Sequence, residues 1–430
     1  MSLTKLTSVA AAAICLCSIS ARAADGDLPS WSVSGFGTVG AVHSSEGEAD
    51  FVGGLAKPTG AGITKATSLD PDTLLGIQLG AKFTPNLSAV LQLVSQQNYA
   101  NSYRPAIEWA NVKYQITPSL SARVGRIALA SSLVSETRFV GYANPWVRPP
   151  QEVYGVMPVS SNDGVDATYS THLGDAVNDF QAFYGKTSIK LARATTEAKA
   201  NPTWGFNNSL SMGSTTVRVG YIKATIDLDS PGFASLVDGF TSFGNAASAI
   251  PVAPVQAAGA QSLAIANKYK LTGIPITVAS VGVLHDPGQW FVMAEYSKFS
   301  GEGILTDKYA WHVTGGYRVG KWTPYVTLAE LKAQNGSDAG ISTAGLPPPL
   351  AAPAAALTGA LNATLASTAA TQKTAAIGLR WDFMKNFAAK VQYDRTKLGE
   401  NSSGRLTNTS PSFVPGGSFS LISATVDFVY

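Results

Sequence analysis

Residues 75–93 read Leu75-Gly76-Ile77-Gln78-Leu79-Gly80-Ala81-Lys82-Phe83, then Thr84-Pro85-Asn86, then Leu87-Ser88-Ala89-Val90-Leu91-Gln92-Leu93. Side chains of an extended chain point alternately to its two sides. One side of the first run therefore carries Leu75, Ile77, Leu79 and Phe83, and the other a mixture of glycine, Gln78 and Lys82. Pro85 and Asn86 are turn residues. The unit, two alternating stretches joined by a short turn, recurs seven times along the chain, with longer irregular segments between units. One fully apolar face and one mixed polar face suit a wall with lipid outside and water inside. The pattern predicts a membrane-spanning β-barrel.

The amino terminus predicts export. Lys5 supplies a positive start, Val9 to Ile19 a short apolar core, and Ala21-Arg22-Ala23 a small-x-small cleavage site. That core is well short of the ~20 apolar residues a spanning helix needs, so a cleaved signal over residues 1–23 is expected. Ile14 and Leu16 stand before Cys15 and Cys17 where a lipoprotein would place a small residue. Both cysteines are therefore expected to leave with the signal, and no disulfide framework remains.

The remaining 407 residues, 24–430, carry little net charge. Removing Lys5 and Arg22 from 31 basic residues leaves 29 against 28 acidic ones. Such a balance argues against nucleic acid or another polyanion as partner. No later stretch is long and apolar enough for a spanning helix. Yet 45% of residues are hydrophobic and only 14% are charged. A closed barrel reconciles these facts, because its apolar side chains face lipid while its backbone groups pair around the sheet.

Sixteen strands are expected, at roughly 31–43, 74–83, 87–96, 107–116, 120–126, 163–170, 177–184, 204–212, 216–222, 275–285, 289–297, 309–318, 322–331, 373–381, 387–394 and 419–430. An even count suits a bacterial barrel with both termini on the periplasmic side. Short turns fall at 84–86, 117–119, 171–176, 213–215, 286–288, 319–321 and 382–386, and long connections, including 44–73, 127–162, 223–274 and 332–372, lie between the hairpins. Short turns on one rim and long loops on the other are the asymmetry of an outer-membrane barrel. The stretches 232–262 and 338–370 are rich in Ala and Pro and are expected to carry short helices. No interdomain linker is evident, so 24–430 reads as one domain.

Parity places Leu75, Ile77, Leu79, Phe83, Ala110, Val112, Tyr114, Ile116, Val217, Val219, Tyr221, Ile377, Leu379 and Trp381 toward lipid. Aromatics crowd the expected strand ends, among them Tyr184, Trp290, Tyr317, Trp322, Phe387 and Tyr393. Their amphipathic rings suit the two membrane interfaces.

The last strand sets Ile422, Ala424, Val426, Phe428 and Tyr430 on one face and Ser423, Thr425 and Asp427 on the other. A terminal aromatic closing an alternating strand resembles the signal read by the outer-membrane assembly machinery, with Phe428 and Tyr430 as its rings. Together with the export signal, sixteen strands and the long connection after the fifth, it makes the whole mature chain resemble the Gram-negative porins. The sequence ends in Tyr430 where that family usually has Phe, and lacks the Pro-Glu-Phe-Gly motif of the enterobacterial general porins. The resemblance implies an outer-membrane location with lipid around the wall, small hydrophilic solutes or ions inside, and a homotrimer.

Gly35-Phe36-Gly37-Thr38-Val39-Gly40 matches a dinucleotide-binding pattern, which works only between a strand and a helix. Here an alternating strand surrounds it and no helix follows, so the glycines are expected to allow bending and close packing. No cofactor is expected. His43, His172, His285 and His312 show no metal-ligand spacing and are read as hydrated, with His312 in the lumen. No nucleophile-elbow motif points to catalysis.

Parity turns Lys82, Arg123, Arg218, Arg318, Arg380 and Lys390 into the lumen, mostly near short turns, as a positive collar that would favour anions. Asp166, Asp179, Glu295, Asp394 and Asp427 share that side and would offset it. The segment 127–162 stands where porins fold a loop into the barrel, and holds Glu136, Arg138, Tyr142, Trp146, Arg148 and Glu152. Mixed charges beside aromatics would make it a selective constriction. Pro145, Pro149 and Pro150 stiffen it by fixing φ. An extracellular loop or a subunit contact is the alternative.

The expected function is a passive, water-filled channel for small hydrophilic solutes, with a weak anion preference and no chemistry of its own. A channel specific for small organic acids, an outer-membrane hydrolase and an adhesin-like barrel are the alternatives.

Overall fold

Sixteen long antiparallel strands form the wall in the computed structural model, which describes residues 28–192, 196–334 and 336–430. The expected signal over 1–23 lies outside the described residues. The strands are β1 (Ser30–Ser44), β2 (Leu74–Lys82), β3 (Leu87–Gln96), β4 (Ala106–Gln115), β5 (Leu120–Ala128), β6 (Ser161–Leu173), β7 (Ala176–Lys190) and β8 (Glu197–Met212). They continue as β9 (Thr215–Asp229), β10 (Ile274–His285), β11 (Trp290–Gly301), β12 (Lys308–Tyr317), β13 (Trp322–Ala333), β14 (Gln372–Met384), β15 (Phe387–Leu398) and β16 (Ser418–Val429). Each pairs with the next, and Gly37 of β1 lies opposite both Leu75 of β2 and Phe428 of β16, which closes the ring.

All sixteen expected strands are present, with two corrections at their ends. The turn expected at 171–176 is only Gly174 and Asp175, with Gly174 at φ +62, the left-handed region that glycine tolerates. The strand expected from 204 already starts at Glu197. Pro202 is accommodated there by a register shift between Ala200 and Thr203, since a bulge needs no ladder donor from the proline. Strands β6 to β9 thus run 13 to 16 residues and extend beyond the expected wall. Tyr184 and Tyr393, expected at strand ends, consequently lie inside β7 and β15.

The outward face is apolar as alternation requires. Leu79, Val112, Ile377 and Leu379 are each at least 40% exposed because lipid is their intended neighbour. At the short-turn rim the outward rings of Trp322 and Trp381 stack at 5.0 Å, and Phe387 stacks on Phe428 at 5.9 Å. The inward face departs from a simply polar lining. Ile127, Phe183, Ile222, Ile276, Val278 and Phe299 form a buried apolar cluster there, against Val156, Met157 and Val159 of the segment following β5. At this place the wall is apolar because the segment covers it.

Beyond the long-loop rim lie helices longer than expected: α2 (Pro231–Ser248), α3 (Ala253–Lys268) and α4 (Pro348–Thr368). A one-turn helix, α1 (Gln151–Tyr154), precedes them in the segment after β5. Proline opens α2 and α4, where its missing N–H costs nothing. Phe233, Phe240, Ile265, Leu361 and Leu365 bind these three helices into a separate apolar core above the barrel.

Candidate functional site: the segment crossing the lumen

The segment between β5 and β6 folds inward and is bonded to distant parts of the wall. It first meets β9 and β10: the Arg218 guanidinium donates to Ser132 O at 2.9 Å, and Ser280 Oγ donates to Ser131 O. It then reaches the opposite side. Lys390 Nζ donates to Gly141 O at 2.7 Å and Trp146 O at 2.8 Å, and Arg380 donates to Tyr142 O and Asn144 O. Gly141 O also accepts from the Asn144 N–H at 3.0 Å, while the carbonyls of Tyr142, Asn144 and Trp146 have no ladder partner, so wall cations satisfy them.

Each side chain singled out in the segment has a defined place. Glu136 pairs with Arg218 at 2.7 Å. Tyr142 lies under the Arg380 guanidinium at 4.9 Å. Trp146 is 1% exposed and its indole N–H donates to Thr314 and Thr327 at 2.9 and 3.1 Å. Arg148 forks onto Asp72 at 2.6 and 2.7 Å and reaches Ser423 and Asp394. Glu152 accepts from Gln372 and Thr374. Arg138 bonds only within the segment, donating to the carbonyls of Tyr154 and Val159.

Five of the six basic wall residues make contacts on the lumen side, but not as a collar of free charge. Arg123 forks onto Asp166, Arg218 holds Glu136, Arg318 holds Asp286, Arg380 holds Asp382 and Lys390 holds Asp427. Each of these five has a carboxylate nearby, on its own or a neighbouring strand, a turn or the crossing segment. Lys82 is exposed, and among the described residues it makes no ion pair. Phe428 and Tyr430 lay their rings over Gly37 and Gly35 of β1, in the space a Cβ would occupy. The glycine run is thus a bed for aromatic rings within one strand.

His312 is fully buried, not hydrated. Its Nε2 lies 3.1 Å from Glu295 Oε1, Tyr154 OH donates to the same oxygen, and the Trp146 ring meets it edge-on at 5.6 Å. The crossing segment covers this part of the wall, which parity could not anticipate. His43 and His285 bond to Thr67 and Thr215, and His172 is exposed.

A cavity of about 160 Å³ opens beside the segment, lined by Lys57, Arg138, Arg148 and Arg405, with Asp72 its one carboxylate. Lys57 Nζ donates to the carbonyls of Asp70 and Pro71. Burial pushes its ammonium down to about 8 against the pull of Asp72 and Asp70. Arg405 faces the same space with its guanidinium against Gly155, and burial pushes it down to about 10, opposed by Glu152. Among the described residues no carboxylate lies within ion-pair distance of Arg405. Since Arg148 is matched by Asp72, the lining retains three cations that make no ion pair among the described residues. Lys57, Asp72 and Arg405 carry no local sequence signal for this role beyond Lys57 standing alone in the apolar stretch Leu55-Ala56-Lys57-Pro58.

Comparison with known proteins agrees with this architecture. A family model described as Gram-negative porin matches residues 10–401. The anion-selective porin from Comamonas acidovorans superposes with a TM-score of 0.53 at 10% identity, over 93% of this chain and 99% of its own. Salmonella typhi OmpF, in complex with daunomycin, gives 0.52 at 12% identity, over 93% and 98%. The outer-membrane channel DcaP of Acinetobacter baumannii gives 0.52 at 10% identity, over 93% and 97%. At such identities the likeness is one of fold. No curated protein matches the sequence.

Proposed function

The chain belongs to the Gram-negative porin family and forms a channel in the outer membrane, and on that premise we propose that it passes small hydrophilic solutes passively and prefers anions. The segment 127–162 is the constriction in this reading. Arg138, Arg148, Lys57 and Arg405 set its selectivity, while the paired wall residues Arg123, Arg218, Arg318, Arg380 and Lys390 hold its frame. The observation that carries the preference is the cavity lined by four cations and a single carboxylate. Fixed positive charge in a confined space lowers the energy of a passing anion and raises that of a cation.

Planar-bilayer recording in a potassium chloride gradient tests it. The zero-current potential should take the sign for chloride, and R405Q together with K57M should move it toward zero. A potential of the cation-selective sign would overturn the preference. The narrower reading, a channel for small organic acids, rests on the same cations and requires such an anion to permeate faster than chloride. The homotrimer implied by the family is tested by the mass of the purified protein in detergent.

A further inference from the structure

The outward face of β11 to β15 carries a patch of cations just above the apolar band. Lys298 lies opposite Tyr309, and Tyr309 opposite Lys332. One step lower, Glu330 lies opposite Lys373, and Lys373 opposite Lys397. All four lysines are exposed, as is Arg395 two residues below Lys397. Among the described residues Glu330 is the only acid on this outward face beside them, and it is shared between Lys373 at 3.3 Å and the indole of Trp311. Elsewhere on the outward face exposed cations are matched or stand singly, as Lys223 does opposite Trp204 and Thr277. Arg126 pairs with Asp163 at 2.6 Å, and Lys199 pairs with Glu197 and lies opposite Asp227.

The height of the patch identifies what it meets. Lys373 stands eight residues along β14 from Trp381, and Lys332 ten residues along β13 from Trp322. At ~3.3 Å per residue and a tilt of ~40°, the lysines sit about 20 to 25 Å above the lower aromatic belt. That is the thickness of a barrel's apolar band, so the ammonium groups lie at the headgroup level of the outer leaflet. Between the two levels the outward residues Leu328, Val326, Ile377 and Leu379 are apolar and exposed. The cations are also held in place: Lys397 Nζ donates to Gly416 O at 2.7 Å, Arg395 to Ser420 Oγ at 3.0 Å, and Lys298 lies over the Tyr309 ring. Each of these contacts orients the charge and none neutralises it.

We propose that this patch binds the phosphate groups of an outer-leaflet lipid, its acyl chains lying along the apolar wall below and its phosphates bridged by Lys298, Lys332, Lys373 and Lys397. Phosphate oxygens accept several charge-assisted hydrogen bonds at once. Four ammonium groups spread over β11 to β15 match a headgroup carrying two phosphates better than a zwitterionic one.

The test uses the purified full chain in detergent, titrated with diphosphoryl lipid A, monophosphoryl lipid A or phosphatidylethanolamine, with retained lipid counted by native mass spectrometry. Wild type should retain the diphosphoryl form at least ~10-fold better than phosphatidylethanolamine, with less retained at high salt. The variant K298Q/K332Q/K373Q/K397Q should lose that margin, and K321Q/K385Q at the opposite rim should keep it. Should the fourfold variant fail to fold, K332Q and K397Q singly should each lose about 5-fold. Equal retention by wild type and the patch variants overturns the assignment. So does an equal loss in the opposite-rim control, or a loss of chain–chain association in the patch variant with lipid retention unchanged.

Discussion

The Lys390 ammonium lies 2.9 Å from the Asp427 carboxylate, both with fully buried side chains on the adjacent strands β15 and β16. The same ammonium donates to the carbonyls of Gly141 and Trp146, and Asp427 also accepts from Thr38 Oγ1. One ion pair therefore ties the closing seam of the barrel to the segment across its bore. K390M would leave a buried carboxylate without its cation, a loss of about 3–5 kcal/mol. It should lower the denaturation midpoint of the folded barrel and increase open-channel noise. K390M/D427N should recover much of the stability without quieting the noise, because Trp146 O would lack its side-chain donor and Gly141 O would keep only the Asn144 N–H.

Trp146 anchors the middle of the crossing segment against Phe291, Met293 and Tyr325. Thr314 and Thr327, its hydrogen-bond partners, also bond each other at 2.8 Å, so removing the indole strands neither hydroxyl. W146A should release about 3–5 kcal/mol of packing at this anchor. Single-channel conductance should rise. Unchanged conductance would mean that the segment does not limit flow.

Lys57 gives the channel a pH dependence of known sign. Burial holds its ammonium at about 8, so the charge is complete below that pH and is lost as pH rises through it. Anion preference, measured as zero-current potential, should therefore weaken between pH 7 and 9. K57M should begin at the weaker value and stay level across that range. For stability the sign is the reverse of a favourable pair. The unfolded chain binds this proton more tightly, so the cost of folding with Lys57 charged is present below about 8 and fades toward the ordinary lysine range.

Gly37 lies beneath the Phe428 ring, and an added side chain would occupy the ring's position. G37V should displace Phe428 and cost about 1–3 kcal/mol through overpacking at the seam. If Phe428 and Tyr430 form the assembly signal, F428A should reduce the folded fraction in the outer membrane more than it lowers the in-vitro unfolding midpoint. Equal effects on both would assign Phe428 to packing alone.

The wall was legible because a strand repeats every two residues and lipid imposes one apolar face, so Leu75 to Phe83 reveals its environment locally. The same parity put Arg123, Arg218 and Lys390 inside, but it could not supply their partners. Asp166, Glu136 and Asp427 lie 43, 82 and 37 residues away in sequence. Trp146 finds its hydroxyl partners 168 and 181 residues downstream. Lys57, Asp72 and Arg405 meet only once the first and last long loops fold over one bore. His312 looked hydrated because parity reports the side a residue faces and says nothing about what covers that side. Pro202 hid the start of β8, since a bulge lets proline enter a strand that propensity would end.

The seam between β1 and β16 also bears on synthesis. These neighbours stand nearly four hundred residues apart in sequence, Phe36 lying opposite Val429. A nascent chain that has released only its first fifteen strands can form a curved sheet with two open edges, whose unpaired amides and carbonyls are unaffordable in hydrocarbon. Translation must therefore run nearly to its end before the cylinder becomes possible. Loss of the final dozen residues should therefore abolish closure of the whole cylinder, not merely weaken one strand of its wall.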